Sequence, residues 1–148
     1  LQGEEIPVFI SREKAQAYKS LLTGRTLLIT ADTIVWLNGK VYGKPHDKDD
    51  ARAMLRALSG NTHTVITGVT IATCDKEVSF ATSTEVSFAR LTDEEIDYYV
   101  EKYAPLDKAG AYGIQEWIGY VGVTGIQGSY YNVMGLPIQR LYQELKKF

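Results

Sequence analysis

A chain of 148 residues with 45% hydrophobic and 23% charged side chains can close a single hydrophobic core and has the composition of neither a disordered nor a fibrous protein. Sixteen basic against eighteen acidic residues leave a net charge of -2, which gives no global attraction to a polyanion, so nucleic acid is not expected as a main partner. The one cysteine, Cys74, excludes an internal disulfide and leaves a structural zinc site without its usual thiolates, so a reducing, cytoplasmic setting is expected.

The opening "LQGEEIPVF" lacks the basic and long apolar regions of a signal peptide, and no apolar run nears the roughly 20 residues that cross a bilayer, so no membrane partner is expected. Leu1 is not an initiator methionine, and the stretch reads as the middle of a longer sequence. Apolar residues at Val8, Ile10, Ala15, Ala17, Tyr18, Leu21 and Leu22, with charges between them, predict a helix over about 8–22, with Ser11 and Lys14 at its opening. Gly24 breaks it, and "TLLIT" reads as a buried strand ending at Asp32, of the kind that lies centrally in a sheet. "TIVWL" and "KVYG" flank Asn38-Gly39, the pair that a type I′ hairpin demands.

"HDKDDARAMLRALSG" places Ala51, Met54, Leu55 and Leu58 on one helical face, with Asp47 as N-cap and Gly60 at the stop. From His63 to Leu91 the chain is β-branched and alternating, which predicts long antiparallel strands turning at Asp75-Lys76. "TDEEIDYYVEKY" offers Thr92 and Glu95 as a capping box and Ile96, Tyr99 and Val100 as a buried stripe. The glycine- and aromatic-rich stretch that follows reads mainly as loops, with one strand around Tyr120 to Ile126. "PIQRLYQELKKF" begins with proline at a first-turn position and ends basic, as a C-terminal helix does.

Asp32, at the carboxyl end of a strand, is where α/β sheets present ligand-binding groups, and it could hold a divalent metal or activate water, or simply cap a turn. Lys44 in "GKP" lies between a free backbone and a stiff one, which suits a held phosphate contact, although exposed lysines often follow hairpins. Asp107-Lys108 sits in a small-residue loop whose amides can approach a ligand, and Gln115 can both donate and accept, as reading a base edge requires. The alternative is an ordinary surface loop. Asn132, Gly135 and Pro137 lead into the last helix, either as an anion site or as plain helix entry.

His63 and Cys74 have no partners in sequence that would make them a metal ligand or a nucleophile. Trp36, Trp117 and the ten tyrosines read mostly as packing, with one ring near the glycine loop free to stack on a base. Walker loops, dinucleotide fingerprints and a Ser-His-Asp order do not occur.

Taken together, "ADTIV...GKVYGKP", "DARAMLRALSGNTHTVITGV", "TEVSFARLTDEEIDYYV", "DKAGAYGIQ" and "GSYYNVMGLP" resemble the Maf family, also called septum-formation inhibitors, in order and separation from about Lys14 to the C-terminus. The resemblance implies an α/β domain spanning 1–148, with a mixed twisted sheet flanked by helices beside a deep nucleotide cleft, similar to inosine triphosphate pyrophosphatases. It implies hydrolysis of a nucleoside triphosphate to the monophosphate and pyrophosphate with a divalent cation, Mg²⁺ or Mn²⁺, and a homodimer. By the same resemblance Asp32 takes the catalytic and metal-binding carboxylate position, and Lys14 and Lys44 those of phosphate-side lysines.

The "ADT" and "GIQ" strings are similar to the branch acting on dTTP and UTP, which makes Thr33 and Gln115 the specificity positions. The branch acting on methylated GTP typically reads "SDQ" at the first of these places and lacks the glutamine. The family's opening strand, its "SxSPRR" phosphate loop and the acidic metal position after it have no counterpart in these residues. An upstream segment is therefore expected, without which activity is in doubt. The family's other implied role is a non-catalytic nucleotide-binding regulator of cell division.

Overall fold

A computed structural model describes residues 2–148; Leu1, on which the expectation of an upstream segment turns, lies outside them. The elements in chain order are α1 (Glu5–Ala17), a 3-10 turn (Lys19–Leu21), β1 (Leu28–Leu37), β2 (Lys40–Tyr42), α2 (Lys48–Leu58), β3 (Thr62–Ala72) and β4 (Glu77–Phe88). There follow α3 (Asp93–Tyr103), a 3-10 turn (Ala109–Ala111), α4 (Trp117–Gly122), β5 (Val123–Gln127), α5 (Tyr130–Met134) and α6 (Ile138–Lys147). The strands form one sheet in the order β2-β1-β3-β4-β5, antiparallel in each of these ladders. An α/β fold with its sheet flanked by helices is thus what the chain forms.

Local chemistry explains most boundaries. Asn38 and Gly39 take φ of 51° and 78°, the left-handed pair needed to turn β1 into β2. Asp47 caps α2 by accepting the Asp50 amide, and Thr92 and Glu95 close a reciprocal capping box on α3. Each device satisfies amide groups that a helix start leaves without partners.

Five expectations change. The first helix begins at Glu5 and ends at Ala17, and Ser11, expected at its opening, lies inside it with a buried hydroxyl that donates to the Val8 carbonyl and bonds Thr70 Oγ1 at 2.7 Å. A serine facing the sheet finds polar partners there, so it serves packing rather than capping. Asp32 stands in the middle of β1 rather than at its end, because pairing with β3 continues unbroken from Leu28 to Trp36. The "TLLIT" segment is not the buried central strand: Leu27 and Ile29 are 45% and 37% exposed, since β2 covers the outer edge of β1 only at Val35–Leu37. The central strand is β3, whose run Val65–Ala72 is buried. Finally, Tyr120–Gly122 belong to α4 rather than to a strand, and Pro137 is the N-cap of α6 rather than its first-turn residue.

The sheet has helices on both faces. On one, α1 crosses so closely that a Cβ on Gly68 would lie 2.3 Å from the Pro7 backbone. Glycine at that position therefore decides how near α1 can come. On the other, α2, α3 and the 109–118 region enclose the larger apolar cluster around Leu55, Leu58, Ile96, Tyr99 and Val100, while α6 covers Val69, Ile71 and Phe80 with Leu141. Among the described residues no helix is long and apolar enough to cross a membrane.

Candidate active site

Because β2 is short, the outer edge of β1 from Leu28 to Ile34 has no neighbouring strand among the described residues. A cavity of about 620 Å³ opens around that edge. It is lined by Ile6, Ile10 and Lys14 of α1, by Ala31–Val35 of β1, and by Gly43 and Lys44 beyond β2. Asp107, Lys108, Tyr112, Gly113 and Gln115 from the glycine-rich loop, and Met134 and Gly135 at the end of α5, complete it. The five site residues that the family resemblance implied, Lys14, Asp32, Thr33, Lys44 and Gln115, all line this one cavity, whereas Asn132 and Pro137 do not.

Successive residues of a strand face opposite sides, and here that alternation divides the work. Asp32, paired across the ladder with Gly68, faces α1, whose Lys14 ammonium donates to Asp32 Oδ1 at 3.2 Å and to the Ala31 carbonyl at 2.9 Å. The glycine that admits α1 is thus what brings Lys14 to Asp32. Oδ2 of Asp32 accepts no hydrogen bond among the described residues, which leaves a carboxylate oxygen open to a ligand. Thr33 faces the other side, where its hydroxyl bonds Thr67 Oγ1 at 2.9 Å and reaches the Gly135 carbonyl at 3.5 Å. It ties the end of α5 to the strand.

Lys44 follows Gly43, whose carbonyl accepts the Gly110 amide at 3.1 Å and so fastens the end of the hairpin to the glycine loop. Gly110 has φ of 71° and lies against Val35, where a Cβ would come within 2.7 Å of Cγ2. Lys108 enters the cavity as a third ammonium, which the sequence noted only as half of a charged pair; its Nζ is 3.5 Å from Asp107 Oδ1. Three ammonium groups against two carboxylates make the cavity net positive in a chain whose overall charge is -2. Such local reversal concentrates anions.

The loop side is built from buried aromatics. Tyr112 lines the cavity, and its hydroxyl is 2.6 Å from Nε2 of His63, a residue 1% exposed and edge-on to both Phe88 and Tyr112. Burial pushes the His63 imidazole down to about 4, so it is neutral near pH 7 and serves as a fixed partner for Tyr112. Tyr99, wholly buried on α3, accepts the Gly113 amide at 3.0 Å and donates to Glu116 Oε1 at 2.5 Å. Burial, with the bond to Glu116, pushes the Tyr99 phenol up, which keeps it a neutral donor. Its place in the apolar stripe was legible, but its grip on the loop was not.

The arrangement can do two things. One end offers a carboxylate with an adjacent ammonium, suited to positioning water or a cation beside a phosphate; the other offers an exposed amide side chain, Gln115, suited to a heterocycle edge. As a metal centre it is sparse, for among the described residues no group of three His, Cys, Asp or Glu side chains converges. The open Oδ2 of Asp32 still fits a hard cation of the kind that takes one or two carboxylates and completes its shell with water and phosphate.

Fold and cavity together define an α/β protein with a net cationic cleft at a sheet edge. The chain belongs to the Maf family, whose model, described as Maf-like protein, matches residues 2–148. It is 64% identical over 147 residues to a protein of Phocaeicola vulgatus and 61% identical over 147 residues to one of Bacteroides thetaiotaomicron, covering 99% of this chain and 76% of each relative. A Porphyromonas gingivalis protein is 54% identical over 150 residues, covering 100% of this chain and 75% of that relative. All three relatives carry the name dTTP/UTP pyrophosphatase.

Proposed function

We propose that this protein hydrolyses dTTP and UTP to the monophosphate and pyrophosphate. The observation that carries this reading is the shared cavity: Asp32 with its Lys14 partner, the ammoniums of Lys44 and Lys108, and Gln115 all open onto about 620 Å³, room enough for a nucleotide. The naming of relatives above 50% identity supports it independently.

In this reading Asp32 orients and deprotonates a water that attacks the α-phosphorus, and pyrophosphate leaves. Lys14 fixes the carboxylate, while Lys44 offsets the charge that develops on the phosphoryl oxygens. Asp32 Oδ2 would hold a divalent cation, Mg²⁺ or Mn²⁺, which when bound supplies further charge compensation at the phosphates. Gln115 pairs with the imide edge of the pyrimidine, an edge that presents both acceptor and donor, and Thr33 keeps the α5 end of the cleft against β1. The reading also takes the protein to be cytoplasmic and a homodimer, which sedimentation at several concentrations checks.

Pyrophosphate release measured over the common nucleoside triphosphates in Mg²⁺ or Mn²⁺, with the Phocaeicola vulgatus protein alongside, tests the proposal. Turnover of dTTP and UTP above all purine nucleotides is the expected result. Tight nucleotide binding with no release, beside an active relative, would instead favour a non-catalytic nucleotide-binding regulator.

A further inference from the structure

The segment that carries Gln115 has an unusual anchorage. Residues 113–116 form a tight turn closed by the Glu116 amide donating to the Gly113 carbonyl at 3.0 Å, and Gln115 is the exposed residue within it. Both ends of that turn are held by one atom, the Tyr99 hydroxyl, which accepts from the Gly113 amide and donates to the Glu116 carboxylate. Behind the turn Gly119 packs so closely that a Cβ would lie 1.8 Å from the Ile114 carbonyl oxygen. In front, a Cβ on Gly113 would come 2.7 Å from Lys108 Cε and 2.9 Å from Glu116 Oε1.

We propose that Tyr99, acting through Gly113 and Glu116, is a positioning residue that sets the pose of Gln115 and thereby the preference of the cleft for pyrimidine over purine nucleotides. Tyr99 touches no nucleotide. Its hydroxyl is the central atom of a clamp that spans the base-reading turn, so removing it frees both ends of the turn at once and leaves the buried Gly113 amide without an acceptor. The phenyl ring, packed in the large apolar cluster and stacked on Tyr103, would stay in place in Tyr99→Phe. The substitution therefore separates the clamp from the core. This inference rests on the role proposed for Gln115.

The test uses binding, so that it stands apart from turnover. Calorimetric titration of dTTP, dATP and inorganic tripolyphosphate is carried out on the unaltered chain and on Tyr99→Phe, Glu116→Gln, Glu116→Leu, Gln115→Ala and the Tyr99→Phe, Gln115→Ala double variant. Tyr99→Phe is expected to lower the dTTP-to-dATP affinity ratio by about tenfold, with tripolyphosphate affinity unchanged. Glu116→Leu should act in the same direction and be the readout if Tyr99→Phe does not fold, while Glu116→Gln, which still accepts from the phenol, should retain the ratio. The double variant should discriminate no worse than Gln115→Ala alone.

Equal weakening of all three ligands by Tyr99→Phe, or an unchanged ratio where Gln115→Ala abolishes it, overturns the positioning role and leaves the reading of Gln115 intact. A ratio untouched by Gln115→Ala overturns that reading and this inference with it.

Discussion

The two ends of the cleft are built differently. At the carboxylate end, Asp32 and Lys14 meet across an open strand edge, with side chains 20% and 47% exposed and only one direct bond between them. At the loop end, Tyr112 and Gly113 are buried, held by His63 and Tyr99, and both partners lie deep in the apolar cluster. A solvated ion pair contributes little to stability and leaves its groups free to exchange partners, as hydrolysis requires. Buried hydrogen bonds to neutral groups resist displacement, as discrimination between similar bases requires. In the proposed function, chemistry falls to the solvated end and recognition to the buried one.

Breaking the open end should have the largest effect on turnover. Asp32→Asn preserves shape and removes the proposed base, so kcat for dTTP should fall by about a thousandfold or more while dTTP affinity changes only a few fold. A parallel loss of binding and turnover would assign Asp32 to substrate holding alone. Next comes Gly68→Ala, whose added methyl meets the Pro7 backbone. It should displace α1 and destabilise the fold by about 2–4 kcal/mol in urea titration, and it should reduce turnover by separating Lys14 from Asp32.

The stiff end should show itself in pH. His63 in the folded chain titrates at about 4 against an ordinary value of 6.5, so the unfolded chain binds the proton first. Its contribution to stability is complete above pH 6.5 and is lost as pH falls towards 4, amounting to roughly 3 kcal/mol at the acid limit. Urea midpoints measured across that window should fall for the unaltered chain, and should fall less for His63→Gln. An identical pH profile in the two would remove His63 from the account. The smallest effect belongs to Thr92→Ala, which opens the capping box of the helix carrying Tyr99 and should cost about 1 kcal/mol without altering nucleotide preference.

The same contrast explains what the sequence disclosed. Asn38-Gly39, Asp47 and the Thr92–Glu95 box act within a few residues, and each does what its local chemistry predicts. Asp32, Lys44 and Gln115 were legible through motif order, and they share a cavity. Three features were hidden because they depend on distant segments. Asp32 looked terminal since the apolar run pauses there, yet pairing with β3 carries the strand through it. The approach of Lys14 depends on Gly68, whose only sequence trace is a glycine inside a β-branched run, a known mark of close backbone contact. Tyr99 matched an apolar stripe correctly, but helical periodicity carries no information about where a buried hydroxyl ends.

Amide chemical-shift mapping with a non-hydrolysable dTTP analogue addresses the shared cleft most directly. The account predicts that residues 31–33, 43–44 and 113–115 respond together along one saturation curve, since a single ligand spans both ends. Separate midpoints for the strand and loop groups, or a response confined to one of them, would contradict it.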